Sequence, residues 1–324
     1  MAENKRFFYG WLILLTCILI MGLGYAPLVS CASLFTKPVT EDLGFTRSGY
    51  ALVSTIAALM MAFMSPFIGK IMSKPYMHKA LVVCMIGNCL AYYCYSFAST
   101  LPQFYVTAAC IGFFECGSTM IPVSVLITNW FRKKRGLVMS IAMVGSSIGG
   151  TILSPIIGNL IASQGWRFTY KAVGITRLVI LVPLVLLVIR RTPADMGTKA
   201  YGADEEGETG KARKTEREWN VSLKEVKKKP MFWCFVLGCT LISATAAVIT
   251  QIPASVMDAG YATTTAASIA SLYLFIAIPG KLVLGHIYDR YGVKAGILFG
   301  NTMFFLSVIC LIFIKHQPFL YLMA

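Results

Sequence analysis

The octapeptide GHIYDRYG, residues 285–292, closes a long apolar run with a glycine, an Asp-Arg pair and a second glycine, and a lysine follows at 294. A weaker copy, GKIMSKPY at residues 69–76, closes another such run. There Ser73 stands in the place of Asp289, Lys74 in that of Arg290 and Tyr76 in that of Gly292. The runs that these two turns terminate set the class of the protein.

The 324-residue chain is 57% hydrophobic and 13% charged, with a mean hydropathy of +0.70. Soluble domains carry roughly a quarter charged residues. A bilayer is crossed by about 20 mostly apolar residues, and nine runs of that kind are present: 8–35, 48–72, 79–98, 102–128, 136–163, 168–190, 231–257, 264–284 and 295–314. Pro318 to Ala324 reads as the start of a tenth. Barrel strands would alternate in polarity over about ten residues, and these runs do not alternate. The expectation is an all-α polytopic membrane protein. The first run exceeds the roughly 7–15 apolar residues of a signal-peptide core, and more membrane helix follows it, which argues against cleavage.

The net charge of +15 is a topology signal and not a nucleic-acid footprint. With the N-terminus inside, 22 of the 29 Lys and Arg fall on one side: Lys5, Arg6, Lys70, Lys74, Lys79, residues 132–135, the polar stretch from Arg190 to Lys229, Arg290 and Lys294. Such a bias marks the cytoplasmic face, placing the N-terminus and the central linker in the cytoplasm of a plasma-membrane protein. The ten cysteines lie in apolar spans without the short spacing of zinc sites, and the three histidines are scattered. No metal or other cofactor is expected.

Six runs precede the one long polar segment, residues 191–230, whose mixed charges read as a mobile linker ending in a short surface helix around Leu223–Lys229. The two octapeptides end the second run on either side of that linker, which indicates duplicated six-helix units. The expected organisation is a six-helix bundle over 1–190, a linker over 191–230, and a partial second bundle over 231–324. A full duplication would have six helices in the second unit, and the sequence stops after about three and a half.

Gly285-x-x-x-Asp289-Arg290-x-Gly292-x-Lys294 resembles the loop motif of the major facilitator superfamily, found between helices 2 and 3 and again between helices 8 and 9. Gly69 begins the eroded first copy. The stretches FYGWLILL (8–15), LGFTRSGYAL (43–52), NWFRKKRGLVMSIAMVGSSIGG (129–150) and GWRFTY (165–170) narrow the resemblance to the oxalate/formate antiporter and monocarboxylate porter group. It implies a six-plus-six helical carrier fold, here with a partial second bundle. It also implies a secondary transporter of small organic anions, working by alternating access, with the loop motif latching the bundles in one state. Two departures are visible: Val29 stands where monocarboxylate porters often have a lysine, and Ala108 where the superfamily often has an arginine.

Ionisable residues at helix centres cost about 2.5–3.5 kcal/mol on insertion scales and are functional candidates by default. Glu115, Arg177 and Lys281 qualify. Lys281 lies about 12 Å of helix from Asp289, where the resemblance implies an arginine that binds substrate carboxylate. It is the expected anion-binding cation, against the reading that its stem snorkels to the interface. Glu115 and Arg177 are expected either as a buried ion pair or, for Glu115, as a proton-coupling carboxylate. Tyr25 can donate to a substrate or simply pack. Ser140, Ser147, Thr151, Ser154 and Gly158 recur at helical spacing as a small-residue face against the other bundle, with Ser147 and Thr151 as path-lining candidates. The expected partners are a small organic anion, a co-transported proton or exchanged anion, and the bilayer, with the protein a monomer. A non-transporting sensor derived from a carrier, or an inactive truncated carrier, is the alternative. The absence of a His/Asp or Ser/His constellation argues against an enzyme.

Overall fold

The computed structural model describes residues 8–202, 223–250, 257 and 262–312. Apart from one isolated backbone bridge, regular structure among them is helical. This follows from the composition, since a chain surrounded by lipid must satisfy its backbone internally. Helix α1 covers Gly10–Leu43, α2 Arg47–Met72, α3 Met77–Phe97 and α4 Leu101–Trp130. Next comes a 54-residue helical stretch, Arg135–Val188. At 1.5 Å per residue it would reach roughly 80 Å, more than twice a bilayer core. It breaks at Gly165, whose φ of 81° suits glycine alone, dividing α5 (135–164) from α6 (166–188). Helix α7 is Pro230–Thr250. Thr263–Ile312 breaks in the same way at Gly292, φ 81°, into α8 (263–291) and α9 (293–312). The second glycine of the loop motif is therefore a helix-reversing residue.

Six stretches among the described residues are long and apolar enough to cross a membrane: α1 to α4, Arg135–Val188 and Thr263–Gly292. This is a multi-pass membrane protein. The start of a tenth span expected at 318–324 lies outside the described residues. The surface helix expected near Leu223 is one turn, Leu223–Val226.

Two apolar cores stack along α1–α6. One, on the side of the basic loops, gathers Ile13, Leu81, Trp130, Val138 and Leu181. The other, on the opposite side, gathers Leu34, Tyr50, Phe104, Ile157 and Tyr170. Between them lies a layer of buried polar side chains: Asn88, Glu115, Ser118, Thr119 and Arg177. Both helices that supply its unusual backbone are irregular at this depth. Helix α1 winds into a π-turn over Ile20–Tyr25, and α4 leaves helical geometry at Thr119 (φ −122°, ψ −99°).

The first twelve residues of the linker expected from residue 191 make specific contacts with the helix ends. Thr192 and Asp195 form a reciprocal cap on the short turn Pro193–Met196. Trp130 Nε1 donates to Arg190 O (2.9 Å) and Arg191 Nη2 to Ser73 O (2.6 Å). Tyr201 exchanges backbone bonds with Trp130 and Arg132, and its ring packs on Phe8, Trp11 and Phe131. Composition registers the charges here, whereas a capping box and one aromatic anchor decide the outcome.

Candidate functional site

Helices α5 and α8 run antiparallel and meet along their whole length. At the end nearest the basic loops, Asp289 accepts from two backbone amides at the start of α5. Gly136 N reaches Oδ1 at 3.2 Å and Leu137 N reaches Oδ2 at 2.8 Å. These are amides that no helix can satisfy for itself, and a carboxylate there is favoured by the helix dipole. A Cβ on Gly136 would run into that carboxylate, and one on Gly285 into Ser140. Further along, Ser271 Oγ donates to Thr151 O at 2.7 Å and Thr151 Oγ1 to Ser271 O at 3.4 Å. At the far end Gly158 abuts Ala267.

The small-residue face expected on this helix meets α8, through Ser140, Ser147, Thr151 and Gly158. Ser154 departs from it, lying 3.4 Å from Cys31 Sγ of α1.

Lys281 sits in the middle of this seam. Its stem crosses to α5, and Nζ donates to Ser147 Oγ (2.7 Å), Ser146 Oγ (2.9 Å) and Met143 O (3.1 Å). An ammonium has three N–H donors, and three neutral oxygens take them. Met143 also lines a cavity of about 430 Å³ with Met120, Ile121, Ser124, Val125 and Met139, within the usual size range of ligand pockets. Ser146 and Met143 were not among the residues singled out from the sequence. The adjacent serines of GSSIGG are the signal for them, since two hydroxyls one residue apart can converge on one cation.

The expected Glu115–Arg177 ion pair is not formed in this structure. Both side chains are buried, but they do not meet at contact distance. Arg177 Nη2 donates instead to Gly24 O (2.9 Å) in the π-turn and to Asn88 Oδ1. Tyr25, half-buried at the end of that turn, lies within the electrostatic reach of Glu115. The reason is local: the irregular α1 backbone presents a carbonyl to the guanidinium, and Asn88 completes the contact.

The two loop copies behave differently. Asp289 caps α5, whereas Ser73 accepts Arg191 through its carbonyl and Gly69 faces open space. Arg290 and Lys294 are exposed, and Arg290 lies over the Tyr291 ring at 5.5 Å. Asp289→Asn keeps the size of the cap but removes its charge and one of its two acceptor oxygens. Given the exposure of this site, the loss is about 1–2 kcal/mol. Amide exchange at Gly136 and Leu137 is expected to quicken roughly 5- to 30-fold, as measured by hydrogen–deuterium exchange in lipid nanodiscs. Unchanged protection would show that the cap is not closed in the membrane.

Comparison with known proteins agrees with this architecture. The family model described as Major Facilitator Superfamily matches residues 12–324. Human monocarboxylate transporter 2 is 24% identical over 229 residues, covering 69% of this chain and 45% of that protein. The MFS-type transporter pytF of Aspergillus terreus is 26% identical over 209 residues, covering 64% of this chain and 62% of that protein. The crystal structure of a bacterial homologue of the human lysosomal transporter Spinster, inward-facing and unoccupied, superposes with a TM-score of 0.66 at 16% identity. That match covers 89% of this chain and 64% of the other. The chain spans roughly half to two thirds of the length of these relatives. With a family model matched over nearly its whole length, the chain belongs to the major facilitator superfamily.

Proposed function

We propose that this chain is part of a secondary transporter that moves small organic anions, mono- or dicarboxylates, by alternating access. Lys281 is its anion-binding cation. The observation that carries this reading is the ammonium held at mid-seam between α5 and α8 by three neutral oxygens, beside a cavity shared through Met143. A charge kept so deep is expected to act on something. A carboxylate entering the cavity can replace one of the neutral acceptors with a full charge. The relatives named as monocarboxylate transporters support the same substrate class.

In this reading Ser147 and Thr151 line the seam, Tyr25 faces the path from α1, and Asp289 with Gly285 and Gly292 forms the loop that must release when the bundles rock. The chain crosses nine times and begins a tenth span. Residues 1–190 form one six-helix bundle, 231–324 part of a second, and the N-terminus and the linker between the bundles lie in the cytoplasm. The carrier works as a monomer in the plasma membrane, coupled to a proton or to an exchanged anion, and performs no enzymatic reaction.

Counterflow of labelled formate, oxalate, lactate and pyruvate in proteoliposomes is the test. Saturable flux that depends on Lys281 supports the proposal. Binding without flux would make the protein a receptor, and neither binding nor flux would end the proposal.

A further inference from the structure

The polar layer between the two cores holds a set of donors with one acceptor too few. Arg177 is 1% exposed, Asn88 0% and Tyr92 2%. The guanidinium lies over the Tyr92 ring at 5.0 Å. Only Arg177 Nη2 is used, by Gly24 O and Asn88 Oδ1. Arg177 Nε and Nη1, Asn88 Nδ2 and the Tyr92 hydroxyl have no partner. The three nitrogens can only donate and the hydroxyl can donate, so the group lacks an anion. Leaving such donors empty out of reach of water is costly.

One carboxylate stands nearby. Glu115, buried on α4, lies within electrostatic reach of both Arg177 and Tyr25, yet touches neither as an ion pair or hydrogen bond. Its own carbonyl accepts from Thr119 N and Oγ1 and from Ser118 Oγ. The helix then breaks at Thr119, one turn beyond Glu115. The segment that carries the carboxylate is thus jointed at its next turn, whereas α3 and α6, which carry the empty donors, are continuous at this depth.

We propose that Arg177, Asn88 and Tyr92 form an internal carboxylate site that Glu115 occupies in a different conformation of the molecule from the one described here. In the present conformation Glu115 makes neither an ion pair nor a hydrogen bond with Arg177. In the other it turns about the Thr119 joint onto Arg177 Nε and Nη1, with Asn88 Nδ2 and the Tyr92 hydroxyl as further donors. Two readings of Glu115, partner of Arg177 and a group presented toward the path, become two positions of one side chain. The inference shares with the proposed function only the premise that the molecule has two conformations. It does not involve Lys281.

The test is hydrogen–deuterium exchange of the peptide around Glu115–Met120, in lipid nanodiscs and without substrate. Wild type is expected to show two exchanging populations. Glu115→Gln, which removes the anion, should leave one population and change the exchange rate by about 5-fold or more, the range of ordinary coupling free energies. Asn88→Asp, which places a permanent carboxylate against Arg177, should also leave one population, and adding Glu115→Gln to it should change nothing further. A Glu115→Gln protein with wild-type exchange overturns the proposal. So does one that fails to fold and is restored by Arg177→Gln but not by Asn88→Asp, the behaviour of a static pair. If Glu115→Gln alone does not fold, the Asn88→Asp background decides: the proposal stands if the double variant folds and matches Asn88→Asp, and falls if it does not. Replacing chloride by gluconate should have no effect, and an effect that persists in Glu115→Gln would assign the site to a halide from solution instead. Lys281→Gln should leave this exchange unchanged, so failure of the proposed transport site and failure of this site are read separately.

Discussion

Lys281→Gln is expected to lower carboxylate counterflow by about 30-fold or more while leaving the protein folded. Removing one partner of a desolvated, hydrogen-bonded charge pair costs about 2–5 kcal/mol, and every 1.4 kcal/mol is tenfold. Folding should survive because glutamine can still donate to Ser146 or Ser147, whose hydroxyls are neutral and can turn to other partners. Lys281→Arg keeps the charge but not the geometry. A planar fork fits two parallel carboxylate oxygens better than the three converging oxygens found here, so retained flux with a changed preference between mono- and dicarboxylates is expected.

The three neutral oxygens carry a second consequence. All three Nζ donors are spent on α5, so a bound anion must displace at least one acceptor, and substrate and seam compete for the same ammonium. Replacing Ser146 and Ser147 together by alanine should therefore tighten substrate binding several-fold, since each lost bond to a charged group is worth about 1.5–3 kcal/mol before water or backbone compensates. Equilibrium binding of a labelled monocarboxylate to the purified variant measures this. Weaker binding would instead make the serines part of the anion site itself.

The features that were legible in the sequence are those in which one residue type has one use. A lysine, an arginine and a glutamate inside apolar runs have to be buried or functional, and the structure buries Glu115 and Arg177 and half-buries Lys281. The recurrence of Ser140, Ser147, Thr151 and Gly158 describes a helix face, and that face meets α8. Asp289 next to a helix junction is an acceptor in need of amides. That the amides belong to α5 is a matter of tertiary arrangement that no local pattern contains. Partner choice fails for the same reason at Arg177. Charge complementarity points to Glu115, but the π-turn over Ile20–Tyr25 turns a carbonyl toward the guanidinium and Asn88 lies across from it. A neutral asparagine in an apolar helix carries no sequence signal of its role, and a π-turn is invisible to a 3.6-residue period. The segment after Arg191 escaped a reading by composition because one capping box and one tyrosine outweigh a dozen residues of polar average.

The crossing of α1 and α5 should be a sensitive point in the fold. A Cβ on Gly149 would run into the backbone of Gly22, and one on Gly145 into the Ile18 carbonyl. A Cβ on Gly22 would stand 3.0 Å from Gly145 O. These neighbours are main chain, which cannot rotate aside, so an added methyl can be accommodated only by separating the helices. Gly145 and Gly149 are four residues apart on one face of α5, the spacing that lets two membrane helices approach backbone to backbone. Lipid tails are as apolar as the side chains, so this close contact, and not hydrophobic exclusion, is what holds α1 against α5. Overpacking costs about 1–3 kcal/mol, and Gly149→Ala is expected to lower the thermal midpoint in detergent by roughly 3–10 °C. Gly149→Val should prevent accumulation of monodisperse protein. Because α5 also carries Ser146 and Ser147, shifting it moves two of the acceptors of Lys281, and flux should fall in Gly149→Ala beyond what its loss of folded protein explains. Gly69→Ala is the matched control, a helical glycine whose added Cβ meets nothing within 4 Å. It should be neutral or slightly stabilising, because alanine restricts the unfolded chain more than glycine does. Equal midpoints for the two variants would mean that the α1–α5 crossing is looser than its geometry and that the position of α5 depends on α8 instead.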